Sequence, residues 1–166
     1  MFHSDVRRRA ELINQTLRTR GEMIVTAESC TGGLVAAALT DVPGSSDAVH
    51  GAFVTYANEA KERMIGVPGE LIEAHGAVSE QVARAMAEGA LATTGVAVAV
   101  AVTGVAGPGG GTEGKPVGLV HFACASADGT LHRVERFGDI GRQNVREASV
   151  LAALDLVIAR LGVPGP

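Results

Sequence analysis

The sequence predicts a three-layer α/β/α sandwich built on a mixed, mostly parallel β-sheet. Strand-length apolar segments alternate with helical segments through the first hundred residues, which is typical of parallel strands joined by helices. Two strand-like segments later follow each other directly across a short turn, which predicts one antiparallel strand. No linker, repeat or low-complexity tract divides the 166 residues, so we expect a single domain over residues 1–166.

The first half of the chain is predicted to contain three helices and two strands. Apolar residues at helical spacing predict an amphipathic helix from about Ser4 to Arg20, and Gly21 ends it. The proline, glycine and serines within 41–46 are typical of a loop. The other segments are predicted, in order, as a strand at 23–28, a helix at 31–40, a strand at 49–56 and a short helix at 58–65.

The second half is predicted to contain the central strand of the sheet. Ser79 is a good N-cap for a helix with one apolar face, which ends near Gly95. No regular element is assigned to residues 66–78. The remaining segments are predicted as a central strand at 96–103, a glycine-rich loop at 104–114, a hairpin of strands at 117–125 and 130–137, and a last helix at 143–161.

Composition excludes several classes of function. Lys and Arg number 14 against 18 Asp and Glu, and this formal charge of −4 gives no global attraction for nucleic acid or an anionic membrane. The longest apolar run, 96–102, is far shorter than the roughly 20 residues that span a bilayer. Two cysteines suit reduced thiols, and no secretion signal opens the chain. We therefore expect a cytoplasmic protein that binds neither nucleic acid nor membranes.

The segment from Val25 to Gly33 is the strongest candidate for a functional site. An apolar strand ends there in Ser29, Cys30 and two glycines, and a helical pattern follows at once. A helix start offers unpaired N–H groups and a favourable dipole to negative charge, so the turn suits a nucleophile or a phosphate. An N-capping serine is the structural alternative. Cys30 is a rival nucleophile.

A serine nucleophile needs a base, and Lys61 is the best candidate for it. The five histidines are scattered and show neither metal-ligand spacing nor a companion carboxylate. Tyr56, the only tyrosine, ends a predicted strand, and Lys61 follows about one helical turn later. Lys61 can act as a base only if its pKa is lowered by burial or a nearby positive group. The alternative is a solvated helix face of Glu59, Lys61 and their charged neighbours.

Two further features suit an anionic ligand. The glycine-dense loop 104–111 leaves the end of the central strand, where open α/β sheets gather their ligands. Arg142 and Arg146 lie one helical turn apart and could grip a phosphate. The alternatives are a flexible surface loop and surface ion pairs of the arginines with Asp139 and Glu147.

Taken in order, these segments resemble the CinA C-terminal domain family, whose stand-alone members are nicotinamide mononucleotide deamidases. The resemblance covers about residues 5–160. Small departures are Ala57 and Thr103, which stand where the family often has serine. The motifs that carry it are 26–33 (Thr-Ala-Glu-Ser-Cys-Thr-Gly-Gly), 43–46 (Pro-Gly-Ser-Ser), 56–61 (Tyr-x-Asn-Glu-Ala-Lys), 75–79 (His-Gly-Ala-Val-Ser), 104–108 (Gly-x-Ala-Gly-Pro) and 115–118 (Lys-Pro-Val-Gly).

The resemblance implies an α/β/α fold and a Ser-Lys amidase, with Ser29 as nucleophile, Lys61 as base and Tyr56 assisting. The implied reaction converts nicotinamide mononucleotide to nicotinate mononucleotide and ammonia without a metal or cofactor. A homodimer or larger homo-oligomer is also implied. The expected substrate-binding residues are Cys30, Thr31, Gly32, Gly33, Thr103, Gly104, Ala106, Gly107, Arg142 and Arg146.

Two alternatives to this reaction stay open at the level of sequence. A nucleotide-binding module without turnover would use the Ser29 turn and the glycine loop as phosphate cradles. An amidase for another small amide would keep the chemistry and change the substrate.

Overall fold

A computed structural model describes residues 2–166, which form one five-stranded sheet between two layers of helices. A short 3₁₀ turn covers Ser45–Asp47. The strands are β1 Ile24–Glu28, β2 Val49–Val54, β3 Val98–Gly104, β4 Leu119–Ser126 and β5 Gly129–Arg136. The helices are α1 Ser4–Arg20, α2 Leu34–Thr40, α3 Asn58–Ile65, α4 Gly69–His75, α5 Glu80–Thr94 and α6 Arg142–Leu161.

The sheet has the order β2-β1-β3-β4-β5. β1 pairs in parallel with β2 and with β3, whereas β4 pairs antiparallel with both β3 and β5. Only β4 therefore runs against the other four strands. The prediction of a three-layer sandwich on a mixed sheet with one antiparallel strand is confirmed.

An apolar core lies on each face of the sheet, and the two cores differ in the size of the side chains that β3 contributes. Side chains alternate between the faces of a strand, so Val98, Val100 and Val102 of β3 face α1, α2 and α6. Ala99 and Ala101 of the same strand face α5. Their small side chains let α5 lie close to the centre of the sheet.

Two elements differ from the predictions. Helix α2 begins at Leu34 rather than near residue 31, because Gly32 and Gly33 adopt positive φ angles of 59° and 97° that a right-handed helix excludes. Helix α4 was not predicted. Its seven residues bury only Ile72, which gives too little apolar periodicity to recognise.

None of the helices within residues 2–166 combines the length and the apolar character that crossing a bilayer requires.

Candidate active site

Ser29 lies where the carboxyl ends of the three parallel strands meet. It follows β1 directly, and its N–H donates to the carbonyl of Val102 in β3 at 2.9 Å. On the other side, the Thr55 N–H after β2 donates to the Glu28 carbonyl at 2.8 Å. These bonds hold the half-buried serine at the edge where open α/β sheets place their ligands.

Glu28 fixes the turn that carries Ser29. Its carboxylate is fully buried and accepts hydrogen bonds from the hydroxyls of Thr26 and Thr31 at 3.0 and 2.7 Å. It also accepts from three backbone N–H groups at the start of α2, at 2.8–3.0 Å. The carboxylate therefore caps α2 from the strand side, a role that the sequence analysis missed.

The turn itself leaves two backbone donors unused. The Gly32 N–H donates to the Ser29 carbonyl at 3.0 Å and closes the turn. Within residues 2–166, the N–H groups of Cys30 and Thr31 have no hydrogen-bond acceptor. Two free N–H groups that directly follow a serine in sequence are candidates for an oxyanion-binding site.

Lys61 is buried beside Ser29. Its side chain is 1% exposed, so the interpretation of this residue as part of a solvated helix face is wrong. Its Nζ lies 3.1 Å from Ser29 Oγ, 2.8 Å from the Thr55 carbonyl oxygen and 3.4 Å from the Tyr56 carbonyl oxygen. Burial lowers the pKa of Lys61 because it disfavours the charged ammonium.

Cys30 offers no comparable reactivity. Its side chain is 6% exposed and packs in the core between the sheet, α2 and α6. Burial raises the pKa of the Cys30 thiol to about 12, so it holds its proton near neutral pH. As a nucleophile, Ser29 is therefore far better placed than its neighbour.

Ser29 and Lys61 open into a cavity of about 300 Å³. This volume lies at the small end of the range for ligand sites, about 300–1,000 Å³. Six of the lining residues are absent from the expected catalytic and substrate-binding residues, and three of these six, Val105, Gly109 and Gly110, belong to the glycine loop. The full lining is Ser29, Cys30, Tyr56, Asn58, Lys61, Ala77, Val78, Thr103, Gly104, Val105, Ala106, Gly107, Gly109, Gly110 and Arg142.

One side-chain hydrogen bond joins two of the residues that line this cavity. Thr103 donates its hydroxyl to the Ala77 carbonyl at 2.8 Å, which ties the end of β3 to the loop before α5. Asn58 begins α3, and Ala77 and Val78 lie on the connection between α4 and α5. All three belong to the motifs 56–61 and 75–79, but no role in the site was assigned to them, and the fold brings them to the cavity.

The Tyr56 ring stands at the mouth of the cavity, 59% exposed. Its hydroxyl accepts a hydrogen bond from Arg142 Nη2 at 3.0 Å, whereas it is the backbone carbonyl of Tyr56 that contacts Lys61. The phenol is therefore joined to the arginine and not to the Ser29–Lys61 pair.

The two arginines of α6 have different surroundings. Arg142 also donates to the Gly107 carbonyl at 3.0 Å and lines the cavity. Arg146 instead donates to the carbonyls of Cys30 and Thr31 at 3.1 and 3.0 Å. In the part of the chain that the structure describes, neither makes the surface ion pairs considered from the sequence.

A larger groove of about 770 Å³ lies on the other side of the two arginines. It is bordered by the start of α1, the first residue of α2 and the first half of α6. Its lining contains no serine, cysteine or lysine. The smaller cavity, which holds the buried Ser29–Lys61 pair, is therefore the candidate active site.

No group of three or more His, Cys, Asp or Glu side chains within residues 2–166 is arranged to hold a metal ion. His121 of β4 and His132 of β5 contact each other through their ring nitrogens at 3.0 Å, and their rings are stacked.

Comparison with known proteins places the chain in a family. It is 50% identical to a competence/damage inducible protein of Agrobacterium tumefaciens, whose crystal structure aligns over 98% of this chain and 99% of that one with a TM-score of 0.95. A CinA superfamily protein of Escherichia coli is 32% identical over 95% of this chain and 92% of its own, with a TM-score of 0.88.

Relatives known from sequence are longer. A CinA-like protein of Synechococcus sp. (strain RCC307) is 50% identical over 96% of this chain, which spans only 39% of that relative's length. The family model of the CinA C-terminal domain matches residues 6–161. The chain thus belongs to the CinA C-terminal domain family.

Proposed function

We propose that this protein hydrolyses the carboxamide of nicotinamide mononucleotide, releasing nicotinate mononucleotide and ammonia. The observation that supports it most strongly is the 3.1 Å contact between Lys61 Nζ and Ser29 Oγ, made by a lysine that is 1% exposed. A hydroxyl in contact with a buried amine is the arrangement of an activated serine nucleophile. The resemblance described above supplies the substrate.

The contacts of Lys61 explain how it serves as a base. A neutral amine has two N–H bonds and one lone pair. The two N–H groups donate hydrogen bonds to the carbonyls of Thr55 and Tyr56, which leaves the lone pair to accept the hydroxyl proton of Ser29. After proton transfer the ammonium has three N–H bonds and the same three oxygen neighbours. Both protonation states are therefore satisfied without movement of the backbone.

The reaction then follows in two halves. Ser29 Oγ attacks the amide carbon and Lys61 takes the hydroxyl proton. Lys61 returns that proton to the amide nitrogen as the C–N bond breaks, so ammonia leaves and an ester to Ser29 remains. Water attacks the ester, Lys61 again carries the proton, and the nicotinate carboxyl group is released. The N–H groups of Cys30 and Thr31 bind the oxyanion in both halves, an effect worth about 3 kcal/mol per donor in comparable sites.

The rest of the cavity suits the mononucleotide. Gly104, Ala106 and Gly107 bring backbone rather than bulky side chains to the cavity surface, and Arg142 supplies a positive charge beside them. A phosphate bound there would be held by N–H groups and a guanidinium. Tyr56, which is hydrogen-bonded to Arg142, would cover the substrate at the mouth. For its hydroxyl to relay a proton, the Tyr56 ring would have to break the hydrogen bond to Arg142 and turn toward Ser29 and Lys61.

Replacement of each of the two lysines tests this proposal. Lys61→Met removes the base and should abolish ammonia release from nicotinamide mononucleotide. Lys115→Met is the matched control, because Lys115 is the only other lysine and lies outside the cavity lining. If the unmodified protein binds the mononucleotide but releases no ammonia, the protein is a binding module. If it releases ammonia equally well from free nicotinamide, the substrate is another small amide.

A further inference from the structure

We propose that Arg146 is a positioning residue that orients the oxyanion-binding N–H of Thr31, and that it does not bind the substrate phosphate. This inference rests on the proposed amidase function. Its starting point is the pair of hydrogen bonds from Arg146 to the turn after Ser29. Nε donates to the Cys30 carbonyl at 3.1 Å and Nη2 to the Thr31 carbonyl at 3.0 Å.

The geometry of the peptide unit links these bonds to the active site. A trans peptide is planar, so its C=O and N–H point in opposite directions. The carbonyl of Cys30 and the N–H of Thr31 belong to one such unit. When Arg146 holds that carbonyl, the Thr31 N–H points away from the guanidinium; Cys30, on the same peptide unit, lines the cavity, whereas the Thr31 side chain does not. The Thr31 N–H is one of the two N–H groups that have no acceptor within residues 2–166.

The neighbouring peptide unit is held in the same way by a different donor. The Ser29 carbonyl accepts from the Gly32 N–H at 3.0 Å, which fixes the direction of the Cys30 N–H. Each of the two proposed oxyanion donors therefore shares a peptide unit with an anchored carbonyl. Only the Thr31 donor depends on a side chain that arrives from a distant part of the sequence.

The charge of Arg146 adds to this orientation. A cation that binds the carbonyl of a peptide unit polarises the whole unit and makes its N–H a stronger donor. The positive charge also lies beside the turn that carries both proposed oxyanion donors, so it favours negative charge that develops there. Arg146 can therefore stabilise the transition state without contacting the substrate.

The arginine one helical turn earlier provides the contrast. Arg142 lines the Ser29 cavity, and its guanidinium reaches the glycine loop and Tyr56. In the described residues, Arg146 is absent from that lining, and two of its nitrogens are already used by carbonyls. The two arginines thus have different proposed roles. Arg142 binds the substrate phosphate, and Arg146 orients the turn after Ser29.

Steady-state kinetics on nicotinamide mononucleotide and on its riboside, which lacks the phosphate, test this division. Arg146→Met should lower kcat for the mononucleotide about a hundredfold, comparable with the loss of one oxyanion donor, and leave KM within about threefold. Arg142→Met should instead raise KM for the mononucleotide. Arg136→Met, at an exposed position on β5, is the control that should behave as the unmodified protein.

Further measurements keep a folding defect from mimicking this result. Arg146→Lys retains a cation that can reach one carbonyl and should recover part of kcat, with KM again unchanged. A loss for Arg146→Met that appears with the mononucleotide but not with the riboside would make Arg146 a phosphate ligand and overturn the inference. So would a rise in KM at constant kcat. An unmodified protein that releases no ammonia from either compound would instead overturn the proposed function itself.

Discussion

Lys61 is unusually buried for a lysine. A buried ammonium loses hydration, and within residues 2–166 no carboxylate forms a salt bridge with Lys61 to compensate for that loss. Among the described residues, Lys61 Nζ contacts three oxygens, those of two backbone carbonyls and the Ser29 hydroxyl. An uncompensated lysine with a lowered pKa at the wall of a cavity is typical of a catalytic base.

The pH dependence of the reaction follows from this environment. Only neutral Lys61 can accept the serine proton, so kcat/KM should rise about tenfold per pH unit and level off above the pKa of Lys61. Because burial lowers that pKa, the plateau should begin below the usual lysine value of about 10.4. The profile is best recorded above about pH 7, where the substrate phosphate no longer titrates. A profile that is flat throughout this range would exclude Lys61 as the base.

Glu28 is the second residue on which the site depends. Glu28→Gln replaces a carboxylate oxygen by an NH₂ group, which cannot accept the N–H and hydroxyl donors that converge there. We expect the free energy of unfolding to fall by about 1–3 kcal/mol or more, because buried donors lose their acceptor. Urea denaturation measures the change.

The matched control for that change is Glu59→Gln. Glu59 is exposed on α3 and pairs only with Arg63 at the surface, so its replacement should cost less than about 1 kcal/mol. Equal losses for the two variants would show that the buried cap at α2 contributes nothing beyond an ordinary surface carboxylate.

At the scale of elements, α3 depends on a close approach by α5. A Cβ atom added at Gly89 of α5 would lie only 1.9 Å from the carbonyl oxygen of Ile65, the last residue of α3. Lys61 lies one turn earlier on α3. The spacing of these two helices therefore sets the position of the proposed base relative to Ser29.

Gly89→Ala tests the importance of that spacing. In an open helix this change would add about 1 kcal/mol of stability through helix propensity. Here the clash should reverse the sign and cost about 1–3 kcal/mol, since α3 and α5 must move apart. Thermal unfolding gives the stability, and kcat should fall as α3 carries Lys61 away. Gly51→Ala, where a Cβ meets no atom within 4 Å, is the control. Stabilisation by Gly89→Ala would contradict the account.

Some elements could be predicted from the sequence and others could not. The helix at 58–65 has the predicted bounds, and α6 begins one residue from its predicted start, because apolar periodicity and capping glycines mark both. The start of α2 was misplaced since the cap comes from Glu28, whose carboxylate reaches forward from the preceding strand. The burial of Lys61 could not be deduced from the local charge pattern, because its charged neighbours in sequence are exposed.

At the scale of the whole molecule, strand order assembles the site. Residues that are 32 to 116 positions apart in sequence meet because β1 lies between β2 and β3, all parallel, and α6 crosses behind the turn. Single-sequence patterns indicated Ser29, Lys61 and the glycine loop, and the family resemblance implied that Ser29 and Lys61 act as a pair. Their convergence, and the different tasks of the two arginines, depend on long-range contacts that local patterns do not encode.

Ammonia release from nicotinamide mononucleotide by the unmodified protein and its Ser29→Ala variant tests the central claim most directly. Ser46→Ala, at an exposed serine in the loop before β2, is the matched control. We predict turnover by the unmodified protein and the control, and a loss of about a thousandfold or more for Ser29→Ala. Equal ammonia release by all three proteins would remove Ser29 as the nucleophile and contradict the proposed mechanism.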